Sequence, residues 1–142
     1  MNILVIDGQG GGCGRQIISA LKKDAAFQGT ITAVGTNGVA STAMAKAGAD
    51  RIATGTNSIV VCSARTDVII GPVGIVIANS MLGEITAEAA RAVAESPATR
   101  LLLPMNQCDT VVVGVPDPSL KVTIPALMDA LHRLQGKSDC KV

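Results

Sequence analysis

Between Asp7 and Arg15 the chain reads Asp-Gly-Gln-Gly-Gly-Gly-Cys-Gly-Arg, which sets a carboxylate, a thiol and a guanidinium around five glycines. Glycine carries no Cβ, so a run of glycines lets backbone amides approach a ligand closely. The preceding residues 3–6 form an apolar run, Ile-Leu-Val-Ile, and residues 16–21 begin a helical pattern. A strand, a glycine turn and a helix N-terminus in that order make an anion site, because unpaired amides and the positive end of the helix dipole meet there. The candidate contacts are Asp7, Gly8, Gln9, Gly10, Gly11, Gly12, Cys13, Gly14 and Arg15.

Each reactive group has a second reading. Arg15 falls in the first helical turn, where a cation opposes the dipole unless a bound anion reverses the sign; otherwise it is a solvated arginine. Asp7 ends the strand and could hold a metal, a ribose hydroxyl or a loop amide, or brace the turn from within. Cys13 stands near a helix N-terminus, which lowers a thiol pKa, but packing of a small residue in a tight loop is the stronger reading. Cys108 falls beyond a later strand, and His132 reads as a surface residue of the last helix.

Several elements must position this loop. Continuous apolar runs and helical spacing predict strands at 3–6, 31–34, 51–53, 67–70 and 101–103, with helices at 15–23, 39–47, 87–94 and 124–134. Gly48 closes the second helix, Thr86 caps the third, and Pro125 fits the first turn of the last. Residues 75–82 are apolar enough to be buried and are read as helix, and 111–115 as a sixth strand, antiparallel to the fifth. Alternating strands and helices give a three-layer α/β domain over 1–136 with a loose polar tail at 137–142.

Right-handed crossovers bring the carboxyl ends of the parallel strands to one edge. That edge gathers the glycine loop with Gly35, Thr36 and Asn37, then Gly55, Thr56 and Asn57, then Gly71 and Pro72, and finally 104–108. The Gly-Thr-Asn of 35–37 recurs at 55–57, either as a second polar wall or as ordinary helix capping.

Composition narrows the partners. The 142 residues carry net charge +1, have no basic run and contain one aromatic side chain, Phe27, which argues against nucleic acid. Charged residues make up only 16% and hydrophobic ones 48%, so a homo-oligomer is expected to cover part of the surface. The N-terminus lacks the basic segment of a signal peptide and no apolar stretch is long enough to span a bilayer; a cytoplasmic protein without membrane contact is expected. Four cysteines without C-x-x-C pairing and one histidine give no metal spacing.

Gly8, Gly12 and Gly14 fit the spacing G-x-x-x-G-x-G, and with Arg15 and Ile17 the N-terminal region resembles that of short-chain dehydrogenases. The resemblance implies a nucleotide or NAD(P) at the loop. It does not extend to catalysis, because those enzymes use Tyr-x-x-x-Lys and this chain has no tyrosine. The acidic residue that holds an adenosine ribose at the end of the second strand is replaced by Gly35-Thr36-Asn37. A P-loop is not met, since Arg15-Gln16 stands where Lys-Ser/Thr is needed. Over its whole length, with Asp-Gly-Gln-Gly-Gly-Gly, the repeated Gly-Thr-Asn and Gly-Pro-Val-Gly-Ile-Val-Ile, the chain resembles a family of small bacterial proteins of unknown function, which implies a Rossmann-like fold and no activity. The expected function is binding of a nucleotide or other small phosphorylated ligand. The alternatives are a small NAD(P)-dependent enzyme completed by another subunit, and a structural oligomeric subunit without ligand.

Overall fold

The first strand, β1 (Asn2–Asp7), lies in the middle of a five-stranded sheet in the computed structural model, which describes residues 1–105 and 109–138. Its side chains from Ile3 onward are all buried, as an uninterrupted apolar run requires when a parallel strand is covered on both faces. Ile3 and Val5 join one apolar cluster, and Leu4 and Ile6 join the other.

After β1 come α1 (Gly12–Lys23), β2 (Thr30–Gly35), α2 (Gly38–Lys46), β3 (Arg51–Thr54), α3 (Thr56–Ser63), β4 (Val68–Pro72), α4 (Ala87–Glu95), β5 (Thr99–Leu103) and α5 (Leu120–Ser138). All strand pairings are parallel and the order is β3-β2-β1-β4-β5. One cluster packs Ile17, Ile18 and Leu21 of α1 with Leu127 and Leu131 of α5 against the sheet; the other packs Ile59 of α3 with Ala89, Ala90 and Val93 of α4. The result is the expected three-layer, Rossmann-like α/β fold. The chain runs outward from β1 through β2 to β3, then returns to place β4 on the other side. Strand order therefore reverses between β1 and β4, where diverging loops leave a crevice.

Some elements differ from expectation. The antiparallel strand expected at 111–115 is not formed: β5 pairs only with β4 among the described residues. Asp109 and Gly114 take left-handed φ values of 52° and 88°, interrupting the extended backbone that a hairpin needs. Val111 and Val113 are 70% and 92% exposed, so this valine run gains little from burial. Residues 75–82 are not an α-helix either. A 3-10 turn at Val73–Val76 gives way to a folded-back loop in which Asn79, Met81, Leu82 and Gly83 have φ of 66°, 57°, 56° and 89°. A helix not expected from the sequence, α3, takes up the apolar residues 59–62, and β4 runs on through Gly71 and Pro72. Helix α5 starts at Leu120, so Pro125 lies in its second turn and removes one backbone donor there. No helix among the described residues is long and apolar enough to cross a membrane.

Candidate functional site

The glycine loop lies at the carboxyl end of β1, beside the point where strand order reverses. Asp7 organises it. The Gly8 amide donates to Asp7 Oδ1 at 2.8 Å and the Gly14 amide to Oδ2 at 2.7 Å. Gly11, the N-cap of α1, has no side chain to cap the helix; Asp7 supplies that carboxylate from the strand below, as an N-capping aspartate would. This is the internal brace, one of the roles open to Asp7 from its sequence position. Burial pushes the Asp7 carboxyl above its ordinary range, against the pull of the Gly14 and Gly8 amides; the nearby Glu84 charge adds to the rise, and the Cys13 amide opposes it.

The amides of Gly8, Gly14 and, more weakly, Cys13 are thus turned toward Asp7. The Gly11 amide closes onto the Gly8 carbonyl at 2.9 Å and the Arg15 amide onto Gly11 at 2.9 Å. The Gln9 amide donates to Glu84 at 3.1 Å. Among the described residues, the amides of Gly10 and Gly12 donate to no protein group. A Cβ at either position would meet nothing within 4 Å.

These two glycines line a cavity of about 270 Å³ with Asp7, Gly8, Gln9, Gly11, Cys13, Gln16, Pro72, Met81, Met105 and Leu120. Its walls thus come from the ends of β1 and β4, the segment after β5, the start of α5 and the loop before α4. Gln16, Met81, Met105 and Leu120 carried no signal in the sequence, because only the fold brings them within reach of residues 7–13.

The remaining candidates lie elsewhere. Arg15 is exposed and faces an open cleft with Asn37, Gly38, Val39, Thr42, Ala43 and Lys46, on the α2 side of the loop. Thr36 and Asn37 reach the loop directly: the Asn37 side-chain amide donates to the Gln9 carbonyl at 3.0 Å, while its Oδ1 caps α2 by accepting from the Ala40 amide at 2.9 Å. Gly35 pairs with Asp7 in the sheet register. The second Gly-Thr-Asn is out of step with the first, because Gly55 rather than Asn57 is the N-cap of α3. Thr56 bonds Thr86 at 3.3 Å, and neither Thr56 nor Asn57 lines the glycine-loop cavity. Gly71 lies against the Ile6 carbonyl, where a Cβ would come within 2.5 Å, and Pro72 reaches the cavity wall.

Cys13 is 7% exposed; burial, and secondarily the Asp7 charge, push its thiol far above the ordinary range, so it stays protonated and serves packing. Cys108 lies outside the described residues. His132 is a partly exposed side chain of α5, and its Nε2 meets Asp24 at 2.6 Å, away from the loop.

Glu84 is the residue that sequence reasoning passed over. Its Oε1 accepts from the Gln9 amide at 3.1 Å, from Thr36 Oγ1 at 2.8 Å and from Asn37 Nδ2 at 2.5 Å. A carboxylate from 47 to 75 residues downstream thus stands at the end of β2, where the sequence supplies none locally. Desolvation works against its charge, but the bonds from Asn37, Thr36 and Gln9 outweigh it and hold the carboxyl below its ordinary range.

The model of a domain family of unknown function, DUF3842, matches residues 2–135. The chain belongs to that family. No curated protein and no solved structure matches it.

Proposed function

We propose that this DUF3842 protein binds a nucleotide or another small phosphorylated molecule in the cavity between the ends of β1 and β4, with one phosphate on the amides of Gly10 and Gly12. The carrying observation is that these two amides are unpaired and open while those of Gly8, Gln9, Gly11, Gly14 and Arg15 are used by the protein itself. Two free donors beside a helix N-terminus favour an anion, and backbone donors leave room for no competing side chain.

Size and charge narrow the ligand. The cavity, about 270 Å³, is at the small end of ligand sites, which favours a mononucleotide or smaller molecule over a dinucleotide. Its described lining contains no lysine or arginine and includes the Asp7 carboxylate, which favours one phosphate over a polyphosphate chain. Met81, Met105 and Leu120 offer an apolar wall for the uncharged body of the ligand.

Thermal unfolding with millimolar NAD, NADP, ATP, GTP, FMN, nucleoside monophosphates and sugar phosphates tests this. A ligand at a hundred times its dissociation constant adds about 2.7 kcal/mol, an easily measured rise in midpoint. The expected result is a rise with a monophosphate that is lost in Gly10→Ala and Gly12→Ala, whose new methyl groups would occupy the phosphate position. A panel without any rise, or a rise unchanged in both variants, would refute the reading.

A further inference from the structure

The loop of residues 77–85 is built as a flap. Its base is fixed: Met81 and Ile85 are buried in the α4-side cluster, Ser80 Oγ donates to the Gly74 carbonyl, and the Asn79 amide donates to the Ile85 carbonyl at 2.7 Å. At its tip Leu82 is 97% exposed, while the amides of Gly83 and Glu84 fold back onto the carbonyls of Asn79, Ser80 and Met81. Three consecutive left-handed residues, Met81, Leu82 and Gly83, turn the chain so that Glu84 points back across the glycine loop. Non-glycine residues hold such conformations only when surrounding contacts impose them. The Glu84 carboxylate supplies such contacts, gathering three donors from two other segments onto one oxygen.

A backbone amide, a hydroxyl and a side-chain amide converging on one point are the components of an oxyanion site, and here the occupant belongs to the chain itself. We infer that Gln9 N, Thr36 Oγ1 and Asn37 Nδ2 form an oxyanion subsite which Glu84 fills from within, and that a ligand's phosphate or carboxylate takes its place as the tip of the flap lifts. Met81, at the fixed base of the same flap, lies over Gly8 and lines the cavity, so the subsite and the cavity are neighbours. This subsite lies on the β2 side of the loop and goes beyond the reading above. It shares with that reading only the loop of residues 8–14 that borders both.

Titration of the ¹⁵N-labelled full chain with inorganic phosphate, and separately with acetate, at constant ionic strength tests it by NMR. An internal occupant weakens apparent affinity by the fraction of time it fills the site, so Glu84→Ala should bring the Gln9 amide and the Asn37 side-chain amide to half-response at roughly tenfold lower anion concentration. Glu84→Gln, which keeps the side-chain length and loses the charge, should move in the same direction. Glu88→Ala removes the same charge from the exposed face of α4 and should match wild type. In wild type, the amides of Gly83 and Glu84 should respond together with Gln9.

Tightening by either anion supports the inference and identifies the group preferred. Equal half-response concentrations in wild type and Glu84→Ala for both anions would overturn it, as would an equal gain in Glu88→Ala. A Gln9 response with Gly83 and Glu84 unmoved would also overturn displacement. The Gly10 and Gly12 amides report the cavity separately, so silence there together with tightening at Gln9 and Asn37 would refute only the proposed function.

Discussion

The five glycines of the first loop fall into two groups that do different work. Gly8, Gly11 and Gly14 are packed: an added Cβ would lie 2.7 Å from Met81 Sδ at Gly8, 2.8 Å from Ala40 Cα at Gly11 and 2.5 Å from Met44 Sδ at Gly14. Gly10 and Gly12 are exposed and would meet nothing. The packed group lets the loop sit tightly against α2 and the flap. No packing demand explains the open pair, and the open pair carries the unpaired amides. A glycine-rich loop is thus part architecture and part opening, and the two parts alternate along the chain.

The comparison can be tested by substitution. Gly11→Ala should have the largest effect, because it combines a φ of +75° with a clash against α2 backbone; left-handed strain and overpacking together cost about 3 kcal/mol, read as a fall in the urea midpoint. Asp7→Ala should follow at about 2 kcal/mol, since it leaves buried amides without their acceptor. Gly14→Ala should cost about 1 kcal/mol, because the Met44 side chain can yield where backbone cannot. Gly12→Ala should change stability by under about 0.5 kcal/mol, or raise it slightly, as alanine suits a helix better than glycine. Equal destabilisation by Gly11→Ala and Gly12→Ala would erase the distinction between the two groups.

The smallest predicted effect concerns pH. The folded Glu84 carboxyl lies below its ordinary value of 4.5, so its contribution to stability is present above that value and lost as acid takes the pH down through the lowered one. Asp7 has the opposite sign: its raised value favours the folded state in acid and loses that advantage as pH climbs from 3.8 toward the raised value. Urea midpoints of wild type and Glu84→Gln should therefore differ near neutrality and converge on acidification. A gap that is constant with pH would mean that the carboxylate charge contributes nothing to the latch.

The sheet was legible because its signals are local. Residues 3–6 and 68–70 are too apolar to be anything but buried, Asn37 and Thr86 cap the helices that follow them, and the strand-to-helix alternation implies parallel strands without fixing their order. The valines at 111–115 misled because β-branched residues suit a strand only when a neighbouring surface buries them. Within the site, Asp7 and the glycines were visible from spacing, whereas Glu84 was not. It follows a glycine in a loop, and its partners at Gln9, Thr36 and Asn37 are separated from it by 47 to 75 residues. The carboxylate that stands at the end of β2 thus comes from a distant loop.

The central position of β1 has a consequence for synthesis. The strand leaves the ribosome ahead of both its partners, β2 on one side and β4 on the other. About 65 residues separate the ends of β1 and β4, so at ordinary elongation rates one edge of this apolar strand waits roughly 3–13 s for its neighbour. During that interval the nascent chain holds an unpaired Ile-Leu-Val-Ile edge, and a chaperone acting on this protein would be needed most before residue 72 has appeared.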